Sequence, residues 1–283
     1  MVSQPELQRM RKLCVDTRRD ILEEVHAAGS GHVGGALSIV EILVALYFSE
    51  MNIRTSQPEW GERDRFVLSK GHASAALYAI LAERGFFSKE ELLTFGAPGS
   101  NLQKHVDMHR VPGVDVSTGS LGLGLSMAVG MALADRVDGL NRRVYCILGD
   151  GETQEGSVWE AAMAASHFNL DRLTVFVDKN GLQVDGAVQE IMNVEPLGKR
   201  WLSFGWHVQT IDGNNLVSIL RSLDRSRSNH GKPHLILAQT IKGKGIDFME
   251  NQVDWHSHPV SAEDLQKALV SLGEGETAWL MKP

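Results

Sequence analysis

Val144-Tyr145-Cys146-Ile147-Leu148 runs into Gly149-Asp150-Gly151-Glu152, and the reading of this stretch decides the rest of the chain. The five apolar residues, β-branched and aromatic among them, have the length and composition of a buried strand. Gly149-Asp150-Gly151 then makes a sharp turn and lifts a carboxylate to the carboxyl end of that strand. Apolar residues recur at helical spacing over 157–170 (Val158, Ala161, Ala162, Ala165, Phe168). Residues 173–177 form a second apolar strand, with a loop over 178–182. This is a βαβ unit, so its strands are parallel and both following loops lie at one sheet edge. Ligands of open α/β sheets bind at that edge.

The unit brings Asp150 close to Asn180, thirty positions on. One carboxylate and one amide oxygen suit a hard cation such as Mg²⁺, which completes its octahedron with other oxygens, phosphate among them. The backbone carbonyl of Leu182 is a third candidate ligand. Gly151 has no side chain, so a diphosphate can approach its N–H. Gly-Asp-Gly alone is satisfied by an ordinary tight turn. The order strand, helix, strand, Asn is what favours a metal–diphosphate site.

Gly149-Asp150-Gly151 followed by Asn180 resembles the thiamine-diphosphate motif. The longer string Leu148-Gly149-Asp150-Gly151-Glu152-Thr153-Gln154-Glu155-Gly156 resembles transketolase, in the half of that enzyme that binds the diphosphate. Many members carry an Asn pair at the end of the motif. Lys179-Asn180 stands here and keeps the position that ligates metal.

The chain of 283 residues is long enough for one α/β domain with a sizeable core. The lack of a basic stripe argues against nucleic acid, and the formal charge of −7 favours solubility and says little about partners. Cys14 and Cys146 form no metal-spaced pair, and the pattern suits a reducing cytoplasm. The first 19 residues are charged and lack an apolar signal core, and no apolar run is long enough to span a bilayer.

Outward from the centre, residues 5–27 read as an amphipathic helix and 37–47 as the next helix. The loop between them, Gly31-His32-Val33-Gly34-Gly35, resembles the family's Gly-His-Pro-Gly, with Val33 in place of proline. Residues 65–68 are a strand candidate. Ser69-Lys70-Gly71-His72-Ala73 then opens a helix over 75–84 and sets His72 where an anion is favoured. The stretch 96–112 is irregular and contains His105 and His109. Counting back from Val111-Pro112-Gly113-Val114, His105 resembles the family histidine that faces the substrate channel, with Lys104-His105-Val106 in place of Gly-His-Pro. Ser117-Thr118-Gly119-Ser120-Leu121-Gly122 resembles the loop under the cofactor, ahead of a small-residue helix over 126–135. Its Gly-x-x-Gly-x-Gly spacing does not match the dinucleotide pattern.

Beyond Asn180, Gln183-Val184-Asp185-Gly186 reads as a turn, 197–204 and 216–223 as helices, and 207–212 and 234–240 as strands. Ile241-Lys242-Gly243-Lys244-Gly245 reads as a mobile solvated loop. The polar, aromatic stretch 250–258 carries His256 and His258, of which His256 is the better match to a late family histidine between diphosphate and sugar. A helix over 261–272 closes the chain.

The resemblance covers residues 9–256 and implies a three-layer α/β thiamine-diphosphate-binding fold, with a central, mainly parallel sheet and helices on both faces. It implies ketol transfer from a ketose phosphate to an aldose, with His32, His72, His105 and His256 handling substrate groups and protons. Thiamine diphosphate would contact His72, Gly119, Ser120, Leu121, Asp150, Gly151, Glu152, Asn180, Leu182 and His256. Asp150, Asn180 and Leu182 would hold Mg²⁺ or another divalent cation. The family's activating glutamate lies on a pyrimidine-binding domain that residues 1–283 are too short to include. A separate C-terminal transketolase subunit is therefore expected, in an α2β2 assembly. Glu155 resembles a glutamate linking paired sites. Other readings are a split transketolase for a branched or sulfonated sugar phosphate, a deoxyxylulose-phosphate-synthase-like enzyme, and a cofactor-binding scaffold without activity.

Overall fold

The computed structural model describes residues 2–280, with side chains to Gly273. Met1 and residues 281–283 of the expected 1–283 domain lie outside the described residues. The strands, in chain order, are β1 (Arg65–Leu68), β2 (Val144–Gly149), β3 (Leu173–Lys179), β4 (Leu182–Gln183), β5 (Gly186–Ala187), β6 (His207–Asp212) and β7 (His234–Gln239). A parallel sheet has the order β1-β2-β3-β7-β6, and β4 and β5 pair as a small antiparallel hairpin. The helices are α1 (Gln4–Ala28), α2 (Val33–Leu37), α3 (Val40–Ala45), α4 (Ser74–Arg84), α5 (Leu123–Val137), α6 (Gly156–His167), α7 (Val188–Ile191), α8 (Leu197–Ser203), α9 (Leu216–Ser228) and α10 (Ala262–Leu280).

Successive side chains of a strand face opposite sides of the sheet. In β2, Tyr145 and Ile147 enter one core, and Val144, Cys146 and Leu148 enter the other. Phe66, Phe176 and Ile236 join the first; Val67, Val175 and Leu235 join the second. The first core is covered by α1 to α4, α9 and α10, and the second by α5, α6 and α8. Because both faces are dry, the inner strands read as unbroken apolar runs and not as alternating ones. The three expected layers are all present.

Local chemistry sets the helix ends. Ser3 and Glu6 form a reciprocal capping box at the start of α1, and Gly29 closes it at φ 63°. The single helix expected over 37–47 is instead α2 and α3 followed by a π-helical turn (Leu46–Glu50). Helix begins at Val33, so His32 caps it and is not part of a free linker. Strand β3 runs two residues further than expected and takes Asp178 into the sheet. The expected turn at 183–186 is the hairpin β4–β5, with α7 after it.

All the sheet strands point their carboxyl ends at one edge, where Lys70, Asp150, Asn180 and Lys242 follow β1, β2, β3 and β7. The two ends of the chain meet there. Gly243 N–H donates to the Gly34 carbonyl at 3.0 Å. A Cβ on Gly34 would lie 2.7 Å from the Trp255 carbonyl oxygen, so only glycine permits this approach.

Candidate active site

Four imidazoles converge over that edge. The His32 ring centroid lies 5.1 Å from His72, 5.4 Å from His256 and 6.4 Å from His105, and His72 lies 5.6 Å from His256. They arrive from four places: the N-cap of α2, a 3-10 turn (Gly71–Ala73) before α4, the irregular stretch after Gly96, and a 3-10 turn (Val253–His256). His109 and His258 are exposed. His258 leaves the cluster to lie against Trp255, with Nδ1 at 2.7 Å from the Pro259 carbonyl.

Burial and neighbouring cations keep His32, His72 and His256 neutral. His32 is pushed down to about 4 by burial, then by His105 and the lysines. Burial, then Lys70, takes His72 to about 2. Burial, then Lys242, takes His256 to about 4. The Lys242 ammonium donates to His256 Nδ1 at 2.8 Å, which leaves Nε2 of that ring as the N–H donor. Lys242 is 1% exposed, so the solvated loop expected over 241–245 is corrected. Its ammonium is held inside by His256 and by the Leu182 carbonyl at 3.4 Å, and burial, then Lys70, lowers its pKa to about 8.

Beneath the rings lies the oxygen-rich edge. Asp150 is buried; its Oδ1 accepts from Gly151 N–H at 2.9 Å and its Oδ2 from Gly181 N–H at 2.7 Å. Burial, then Asp178, raises its pKa to about 6, as befits a carboxylate without a side-chain cation paired to it. Asn180 Nδ2 donates to Asp178 Oδ2 at 2.9 Å, and Asn180 Oδ1 accepts from Leu182 N–H at 3.1 Å. Among the described residues no cluster of three or more His, Cys, Asp or Glu could hold a metal on its own. Asp150, Asn180 and the Leu182 carbonyl form a partial, all-oxygen set, which fits a hard cation that takes its remaining ligands from a diphosphate.

Two groups that sequence reasoning passed over organise this edge. Asp178 is fully buried; its Oδ2 accepts from Lys70 at 2.6 Å and Ser38 at 2.7 Å, and Thr240 donates to its Oδ1. Lys70 Nζ also donates to the Gly35 carbonyl at 2.8 Å. An acid ending an apolar strand, with a lysine between Ser69 and Gly71, was the available signal.

Glu152 faces the scaffold. Its carboxylate accepts from Ser69 Oγ at 2.5 Å, Gly122 N–H at 2.9 Å and Gly149 N–H at 3.0 Å. Gly122 is left-handed at φ 82°, and a Cβ there would lie 2.6 Å from Glu155 Cβ. Glu152 thereby ties the Gly119-Ser120-Leu121 loop to the turn after β2. Ser120 and Leu121 are exposed, and the His105 ring rests against Gly119, 3.2 Å from where a Cβ would stand.

Residues 10–279 match the family model described as transketolase, thiamine diphosphate binding domain. A chain from Clostridium sp. (strain MSTE9), named 6-deoxy-6-sulfo-D-fructose transketolase subunit SqwG, is 50% identical over 92% of this chain and 94% of its own length. A subunit of the apulose-4-phosphate transketolase of Phocaeicola vulgatus is 42% identical over 91% of each chain. The crystal structure of Pichia stipitis transketolase with sedoheptulose 7-phosphate superposes with a TM-score of 0.90 at 30% identity, over 98% of this chain and 42% of that one. The chain thus spans most of the length of the subunit-type relatives and under half of the solved transketolase.

Proposed function

The chain belongs to the transketolase family through its thiamine-diphosphate-binding domain, and we propose that it is the N-terminal subunit of a split transketolase. The observation that carries this reading is the meeting of four histidines with Asp150 and Asn180 at one sheet edge. Residues 1–283 act as one domain. A C-terminal subunit supplies the pyrimidine-binding domain and the activating glutamate, in a cytoplasmic α2β2 enzyme. The likeness to relatives named as subunits supports the partner. No described helix is long and apolar enough to cross a membrane.

Asp150, Asn180 and the Leu182 carbonyl would hold Mg²⁺. His72, Gly151, His256 and Lys242 would receive the diphosphate of the cofactor, and Gly119, Ser120 and Leu121 would contact the rest of it. Asn180 serves both, and Glu152 keeps the loop in place. When bound, thiamine diphosphate supplies the electron sink that lets a carbon–carbon bond beside a ketone break and re-form. The protein's work is to bind, orient and move protons. Neutral His32 can donate one N–H and accept at the other nitrogen, and His256 can donate from Nε2, as proton handling at sugar hydroxyls and carbonyls requires; His105 adds a third imidazole.

The substrate is a sugar phosphate or its sulfonate analogue, a class supported by the printed names of the two subunit-type relatives. The test is reconstitution. This chain, co-expressed with its C-terminal partner and given thiamine diphosphate and Mg²⁺, should transfer a two-carbon unit from 6-deoxy-6-sulfofructose or a ketose phosphate to glyceraldehyde 3-phosphate. Neither polypeptide should be active by itself; full activity of this chain without its partner overturns the reading.

A further inference from the structure

The loop after β7 carries Lys242, and it is fastened on both sides of that residue. Ile241 N–H donates to Asn214 Oδ1 at 2.9 Å. Arg18 Nε donates to the Lys244 carbonyl at 2.7 Å. Gly245, at φ 96°, lets the guanidinium in, since a Cβ there would lie 2.8 Å from Arg18 Nε. The two fastenings come from α1 and from the turn before α9, and one carboxylate stands behind both. Glu41, on α3, accepts from Arg18 Nη2 at 2.7 Å on Oε1 and at 2.9 Å on Oε2, and its Oε2 also accepts from Asn214 Nδ2 at 3.0 Å. Arg18 and Glu41 are both buried. A buried ion pair adds little net stability over apolar residues of similar volume. What it adds is direction, because guanidinium and carboxylate make hydrogen bonds of fixed geometry. Lys242 depends on such direction. Its ammonium, on a flexible four-carbon stem, reaches His256 Nδ1 and the Leu182 carbonyl from a backbone that must stand in one place.

We infer that Glu41 is a positioning residue: through Arg18 and Asn214 it clamps residues 241–244, and so sets where Lys242 and the His256 ring beside it stand. Its effect on the cofactor rests on the reading above that Lys242 receives a diphosphate. The clamp itself does not depend on that reading.

The first measurement needs neither cofactor nor partner. In the full chain labelled with ¹⁵N-histidine, the His256 imidazole, assigned by its absence from His256→Gln, should show Nδ1 as the acceptor and Nε2 as the protonated nitrogen at neutral pH. Asn214→Ala frees the Ile241 N–H and leaves the Arg18–Glu41 pair in place, so it should shift this signal toward a mixture of tautomers. Calorimetry with Mg²⁺ should then find thiamine diphosphate bound about tenfold more weakly, the size of one lost hydrogen bond, while kcat of the reconstituted enzyme at saturating cofactor stays within about twofold. Asn214→Asp sets a second carboxylate against Glu41 and should do worse. Glu41→Gln combined with Asn214→Asp exchanges donor and acceptor between the two positions and keeps one carboxylate near Arg18. That swap should return the tautomer signal and bring the affinity within about threefold of wild type. A purely structural role lowers the melting temperature and leaves both measurements on the folded protein unmoved, and that result overturns the inference. A swap that folds and stays as impaired as Asn214→Asp overturns it as well. A wild-type chain that binds no thiamine diphosphate overturns the reading of the site, while the His256 signal still decides the clamp.

Discussion

Lys70 Nζ lies 2.6 Å from Asp178 Oδ2, and both side chains are buried between the ends of β1 and β3. Burial alone would raise the Asp178 carboxyl, but Lys70 and three hydroxyl or amide donors hold it below the usual carboxylate range. Removing one partner leaves the other charge stranded. Lys70→Met should therefore cost about 3–5 kcal/mol of stability in urea unfolding, and Lys70→Met/Asp178→Leu should cost less than Lys70→Met alone. Thermal melts of the three proteins decide this.

The histidine cluster makes a pH prediction. His32, His72 and His256 have folded pKa values of about 4, 2 and 4, below the ordinary value near 6.5. For these three groups the unfolded chain binds more protons than the folded one between about pH 4 and 6.5, so the stability they contribute rises with pH and is lost as pH falls through that window, while Asp150, raised to about 6, works in the opposite sense. The slope of the urea midpoint against pH reports the sum. Replacing any one of these residues by Gln should flatten the dependence by up to about one proton.

Asp150 offers a separable test of metal binding. Its oxygens accept from two backbone N–H groups and pair with no side-chain cation. Asp150→Ala should keep the fold and abolish Mg²⁺-dependent binding of thiamine diphosphate, measured by calorimetry with and without Mg²⁺. Binding that is unchanged removes Asp150 from the metal set.

Glu152 should behave as a brace. Three donors converge on it, from Ser69, Gly122 and Gly149. Glu152→Ala leaves these buried donors without an acceptor and should cost about 1–3 kcal/mol, with weaker cofactor binding through the freed loop at Gly119–Leu121. Glu152→Gln should recover part of both. A variant with normal stability and lost affinity would instead mark a direct contact.

The framework was legible because its signals are local and periodic. The apolar runs that became β1, β2, β3, β6 and β7 were readable, and so was the spacing that brings Asp150 near Asn180. Asp178, Lys70 and Lys242 were not. A charged residue at the end of an apolar run looks like the start of a loop, and only the partner contributed by a distant strand makes its burial tolerable. Lys242 shows this most clearly: between glycines it reads as solvated, yet His256 and Leu182 hold it inside. The break of one expected helix into α2, α3 and a π turn also lay beyond periodicity, which does not register a change of helical pitch.

The bond from Gly243 to Gly34 spans more than two hundred residues. Synthesis runs from one end of the chain, so His32 and His72 leave the ribosome long before the strand β7 and the turn that carry Lys242 and His256. The pocket is thus among the last things the fold completes. A ligand bound there ties the first quarter of the chain to the last, and its free energy resists opening of the whole domain and not of one loop. Cofactor supply then favours chains that have folded through β7: a truncated product that still buries the β2–β3 core would keep Asp150 and Asn180 but lack Lys242 and His256.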